Sequence, residues 1–96
     1  KGEFHVIVFN PPYLPEDKRE PKESRKETTG GLQGNEIIVK FLKNAKEYLV
    51  DEGKIFIITS SLAKPVNFSK LNYKSLVLGN KKLFFEKLTC WELRLM

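Results

Sequence analysis

Phe4–Phe9 reads FHVIVF, a nearly continuous apolar run. Such a run predicts a strand buried on both faces, as in a parallel sheet. Asn10-Pro11-Pro12 ends it, because prolines have no N–H to donate to a ladder. Residues 15–34 are polar and charged, with Glu16, Asp17, Glu20, Glu23 and Glu27 set against Lys18, Arg19, Lys22, Arg25 and Lys26. A loop of that length inside a domain is usually functional or disordered. This one reads equally as a plain surface loop and as a lid that orders over a binding site. Ile37, Ile38, Phe41, Leu42, Ala45 and Leu49 then fall at spacings of three and four. They predict a helix over 35–50 with these residues on one face. Asn35 suits its N-cap, and Gly53 suits a stop just past its end.

Residues 54–59, KIFIIT, predict a second buried strand, ended by Ser60-Ser61. Residues 63–72 contain Pro65 and support one weak helical turn at most. A third strand is expected over 73–78, with Gly79, Asn80, Lys81 and Lys82 as a turn. Residues 83–95 predict a long fourth strand, bulged near Glu86 and Lys87. Thr89, Trp91, Leu93 and Leu95 alternate there with Cys90, Glu92 and Arg94. The order is strand, long loop, helix, strand, linker, strand, strand. Its first half is a β-α-β unit with parallel pairing and a right-handed crossover. Its second half is a tightly joined antiparallel hairpin at the sheet's edge. The expected fold class is α/β with a mixed sheet.

Composition narrows the class. The 96 residues support one domain at most. A hydrophobic share of 41% with 30% charged residues fits a water-soluble globular protein. No apolar run approaches the roughly 20 residues of a membrane span. The single cysteine, Cys90, has no internal partner for a disulfide, which points to a reducing cytoplasm. The net charge of +5 is spread along the chain. It permits a nucleic-acid partner without requiring one.

The tetrapeptide Asn10-Pro11-Pro12-Tyr13 directly follows the first apolar strand. It resembles the signature of class I methyltransferases, which use S-adenosylmethionine to methylate amide or exocyclic amino nitrogens. Such a nitrogen is a poor nucleophile, because its lone pair is delocalised. It must be held in line with the methyl sulfonium. The Asn10 side-chain oxygen and the Pro11 carbonyl can each accept one of its N–H groups. Pro12 stiffens the turn, and Tyr13 can stack on the flat face of the group. The resemblance also puts Asn10 beside the cofactor. Asn-Pro alone is an ordinary turn signal; the second proline, the aromatic and the preceding strand give it a functional context.

The wider stretch FHVIVFNPPYLP resembles HemK-like protein glutamine-N5 methyltransferases, which modify the Gly-Gly-Gln motif of translation release factors. GGLQG at residues 30–34, DEGKIFIITSSL, and KKLFFEKL at residues 81–88 are similar to later elements of that family. The last of these and Ser60-Ser61-Leu62 look most like its archaeal and eukaryotic branch, in which a small zinc-binding activator subunit is a common partner. The family's glycine-rich cofactor loop, and the acidic residue about 20 residues beyond it, lie upstream of the tetrapeptide in the family. No counterpart occurs here, and Gly30-Gly31 do not follow a strand. The resemblance therefore implies the C-terminal half of a Rossmann-like class I methyltransferase fold. Residues 1–96 would form one partial domain, inactive alone, with the main S-adenosylmethionine site outside this chain. Phe4–Phe9 is then expected to present an unpaired edge. That edge would associate with an upstream polypeptide or with a second copy.

Two other functions fit the same motif. One is methylation of adenine N6 in DNA or RNA, which calls for a base-flipping pocket and a basic channel. The other is a non-catalytic remnant serving as a binding or assembly module. His5, where family members often carry an acidic residue, reads as a strand residue. It makes no metal set with Cys90, because a site needs three or four ligands. Cys90 reads as a small buried hydrophobe. Trp91 and the Phe84-Phe85 pair read as core.

Overall fold

The computed structural model describes residues 2–11 and 34–96. Among these residues, four strands and one helix follow in order: β1 (Phe4–Phe9), α1 (Glu36–Ala45), β2 (Leu49–Ser60), β3 (Tyr73–Lys82) and β4 (Lys87–Leu95). One 3₁₀ turn at Ser69–Leu71 lies between β2 and β3. Pro12, Tyr13 and residues 15–33 of the charged segment lie outside the described residues.

The sheet order is β1-β2-β4-β3. β1 pairs parallel with β2, in a register that matches Ile7 to Ile55 and Phe9 to Ile57. This is the β-α-β unit that the sequence predicts, with α1 in the connection. β4 is antiparallel to both β2 and β3. The last strand of the chain therefore enters between β2 and β3.

α1 turns Ile38, Leu42 and Ala45 into the core, the i, i+4, i+7 set of one helical face. Ile37, expected on that face, is exposed. Its position, one residue before Ile38, turns it about 100° around the axis. The helix is shorter than expected, ending at Ala45. Tyr48 N–H then donates to the Ala45 carbonyl at 3.0 Å. From there the chain runs directly into β2, and Leu49 is buried as a strand residue.

Gly53 is therefore not a helix stop. It lies inside β2, where an added Cβ would come within 2.5 Å of the Leu49 Cδ1. The glycine leaves room for Leu49 to fold over its own strand. Asn35 does stand at the N-cap, but its side chain makes no capping hydrogen bond. Its Nδ2 donates instead to the Pro65 carbonyl at 3.3 Å, tying the start of α1 to the linker after β2.

The core lies on one face of the sheet. Ile38, Leu42 and Ala45 of α1 pack with Leu49, Ile55, Ile57, Phe68, Tyr73 and Leu93. Phe9 stacks on Phe41 with ring centroids 4.1 Å apart, and Phe68 meets Trp91 edge-on at 5.0 Å. The buried Tyr73 hydroxyl donates to the Leu42 carbonyl at 2.6 Å. Burial pushes the Tyr73 pKa up to about 12, because the phenolate would lose its hydration. Trp91 is partly buried against this core and donates from Nε1 to Thr59 Oγ1 at 2.8 Å.

The hairpin departs most from expectation. β3 continues through Gly79, Asn80, Lys81 and Lys82, and Lys82 registers with Lys87. The turn is Leu83 to Glu86, where Leu83 N–H donates to the Glu86 carbonyl at 2.6 Å. The irregularity falls between Val77 and Gly79, not near Glu86 and Lys87. Gly79 marks this bulge inside a strand, which is the other common use of a strand glycine. Phe84 and Phe85 stand at the turn, 86% and 83% exposed, so they are not core. Cys90 is partly buried on β4 and is a free thiol.

Candidate active site at the carboxyl end of the sheet

β1 and β2 are parallel, so their carboxyl ends lie together. In open α/β sheets, ligands bind outside these ends. Asn10 follows β1 directly and is exposed, while Pro11 is buried. The apolar run of β1 carries the chain to the rim, and the proline then ends its ladder pairing. No side-chain hydrogen bond among the described residues involves Asn10. Its carboxamide is open to an incoming group. The rest of the predicted clamp, Pro12 and Tyr13, lies outside the described residues. His5 is exposed on β1. Among the described residues, no group of three or more His, Cys, Asp or Glu side chains converges as a metal site would require.

The same end of the sheet holds a cleft of about 410 Å³ that motif reasoning did not identify. Thr59, Ser60 and Ser61 line it from β2, with Lys64 from the linker and Lys87 from β4. Phe68 and Trp91 contribute apolar walls. Asn10 and Pro11 do not line it, so the cleft and the start of the tetrapeptide, Asn10 and Pro11, are neighbouring features of one rim.

Ser60 and Ser61 join β2 to the hairpin. The Ser60 hydroxyl donates to the Glu86 carboxylate and accepts the Leu62 N–H at 3.1 Å. Ser61 Oγ accepts the Lys87 N–H at 2.8 Å, and Ser61 N–H donates to the Lys87 carbonyl at 3.0 Å. The signal for this joint was present as two serines directly after a buried strand. Only the position of β4 shows what they bind.

The described residues do not by themselves fit S-adenosylmethionine. A dinucleotide-type site needs a glycine-rich turn between a strand and a helix. β2, the other described strand before the hairpin, leads instead through Ser60 and Ser61 into a linker held by β4.

Residues 1–84 match the model of the Eco57I restriction-modification methylase family. The chain belongs to this methyltransferase family. The family's methyl donor is S-adenosylmethionine. A provisionally named protein N5-glutamine methyltransferase of Methanocaldococcus jannaschii is 37% identical over 93 residues. That alignment covers 91% of this chain and 47% of the relative. A chain of the solved E. cuniculi Mtq2-Trm112 complex superimposes with a TM-score of 0.64 at 22% identity. The superposition covers 95% of this chain and 51% of that one. The Mtq2-Trm112 complex is responsible for the methylation of the eRF1 translation termination factor. This chain thus spans about half the length of the relative and of the structure it matches. The likeness to the C-terminal part of HemK-like methyltransferases, and the mixed-sheet fold it implied, are borne out. No described helix is long and apolar enough to cross a membrane.

Proposed function

We propose that this chain supplies the substrate clamp of an S-adenosylmethionine-dependent methyltransferase acting on a glutamine side-chain amide of a translation release factor. What carries the reading is the join of β1 to Asn10, an exposed carboxamide followed by a buried proline at the carboxyl end of a parallel strand. The 37% identical relative, named for glutamine N5 methylation, supports the choice of substrate.

In this reading Asn10 Oδ1 accepts one N–H of the glutamine amide, and the Pro11 carbonyl accepts the other. Together they would hold the amide nitrogen in one orientation, with its lone pair free of hydrogen bonds. Tyr13 packs on the amide plane, and Pro12 limits the clamp's freedom. Asn10 would also contribute to holding the methyl donor, whose main contacts would come from residues outside this chain. Residues 1–96 act as one part of a larger domain, joined to a cofactor-binding part along the open edge of β1. The solved complex of the structural neighbour supports a protein partner as well as a protein substrate.

The test is Asn10→Ala in the full-length methyltransferase that carries these residues, with methyl transfer to a glutamine peptide as the readout. Loss of a preorganised contact of this kind lowers turnover by about 100-fold or more. Unchanged turnover overturns the clamp. Titration of S-adenosylmethionine into the isolated chain is expected to show no binding; tight binding would overturn the division of labour. The family's restriction-modification name favours a second reading, methylation of an adenine amine in DNA. Transfer to duplex DNA but not to the peptide selects it.

A further inference from the structure

The β3-β4 turn presents Leu83, Phe84 and Phe85 in succession, at 44%, 86% and 83% exposure. Scattered apolar residues on a surface are ordinary, but a contiguous rimmed patch marks an interaction site. The rim is basic. Lys81, Lys82 and Lys87 are exposed around the turn. Among the described residues of the turn the one carboxylate, Glu86, is turned inward onto the Ser60 hydroxyl. The backbone of the turn is tied at its base by the Ser61 and Lys87 hydrogen bonds and closed by Leu83 on Glu86. A backbone ordered in this way lowers the entropy cost of binding.

Topology sets this tip at the functional rim. β4 runs antiparallel to β2, so its first residue, Lys87, lies at the carboxyl end of β1 and β2. Asn10 lies two to three strand spacings sideways and about five residues lengthwise from the tip, on the order of 20 Å. An extended peptide needs about six residues to span that distance. The tip therefore meets the body of a substrate whose reacting group sits at Asn10.

We propose that the β3-β4 turn docks an acidic face of the protein substrate, with Phe84 and Phe85 as apolar anchors and Lys81, Lys82 and Lys87 as the charged surround. This rests on the protein-methyltransferase reading and adds to it where the substrate is gripped. Phe84 and Phe85 meet edge to face, at 60° with centroids 4.5 Å apart. Successive nucleic-acid bases stack on exposed aromatic faces, and this pair turns one ring's edge against the other's face. A protein surface, with apolar side chains ringed by carboxylates, matches the tip better.

The experiment compares two substrates in the full-length methyltransferase: intact release factor, and a glutamine peptide of five residues, too short to reach the tip. For the Phe84→Ala/Phe85→Ala double variant, KM for the intact protein is expected to rise at least about tenfold, as for loss of an interface anchor. Its kcat and both constants for the peptide should stay unchanged. Lys81→Glu/Lys82→Glu should raise the same KM at low salt and lose most of that effect at high salt. Phe84→Tyr/Phe85→Tyr should restore the wild-type value.

Equal losses on protein and peptide would mean a structural role and overturn the proposal. So would unchanged KM values, or weakened binding of duplex DNA with release factor unaffected. A wild-type enzyme that methylates neither substrate fails the underlying functional reading. A wild-type enzyme active on both, with tip variants equally active, fails the docking proposal alone.

Discussion

The two faces of this sheet are built from neighbouring residues of the same strands, yet they differ sharply in burial. On one face Ile7, Phe9, Ile55, Ile57, Leu93 and Trp91 pack with α1 and the linker residue Phe68. On the other, Val8 is 74% exposed, and Val6, Leu76 and Leu78 are also open. Phe56 and Glu92 stand between them in register, with Lys54 and Arg94 near Glu92 at 3.8 and 3.1 Å. A strand whose side chains are apolar on both faces is the pattern of a sheet covered on both sides. Only one cover is present among the described residues. The difference teaches that the strands carry a demand for burial that this part of the chain does not meet. That supports a second layer supplied by another polypeptide segment.

Substitution at adjacent positions tests the contrast. Ile57 and Phe56 are consecutive on β2 and face opposite ways. Ile57→Ala removes a fully buried side chain and should cost about 2–5 kcal/mol in chemical denaturation, the usual range for a buried aliphatic truncated to alanine. A cost below about 1 kcal/mol would break the picture of a one-sided core.

Tyr73→Phe should follow with a smaller loss of about 1–3 kcal/mol, because the buried Leu42 carbonyl loses its donor. It should also change the alkaline limb. The folded pKa, about 12, lies above the ordinary tyrosine value of 10.0. The Tyr73 contribution is therefore fully present below pH 10 and is lost as pH rises from about 10 toward 12. The phenylalanine variant should show a flatter decline in stability across that window, followed by circular dichroism. An unchanged decline would assign alkaline unfolding to other groups.

The smallest effect on folding is expected at Val8. Val8→Lys should change the stability of the isolated chain by no more than about 0.5 kcal/mol, as at other exposed sites. Its effect should fall on association. The wild-type chain is expected to associate through the bare face and open edge of β1, with a sedimentation coefficient that drops on dilution. The lysine variant should remain monomeric, since an edge charge opposes such pairing. A wild-type chain that is monomeric at every concentration would remove the association and leave the bare face unexplained.

Some elements were legible because local rules and tertiary packing agree there. β1 is apolar apart from His5 and is stopped by prolines, which no tertiary context can turn into ladder donors. The buried face of α1 was legible from its period, apart from Ile37. Elsewhere two local meanings competed. Gly79-Asn80 is a turn signal by composition, but a glycine also accommodates a bulge, and pairing of β3 with β4 through Lys82 selected the bulge. Gly53 could stop a helix or make room in a strand, and the burial of Leu49 selected the second. Phe84 and Phe85 looked like core because apolarity carries no information about position in a turn.

The sequence by itself determined the chemistry on offer, the Asn-Pro-Pro-Tyr run and the strand that delivers it. Both depend on residue types and on contacts between near neighbours. Only the tertiary structure decided the strand order, the one-sided core and the joint of Ser60 and Ser61 to the hairpin. These depend on pairings between residues far apart in the chain, chosen by which side chains can be buried together. That choice set β4 between β2 and β3, and so brought the exposed aromatic turn to the same rim as Asn10.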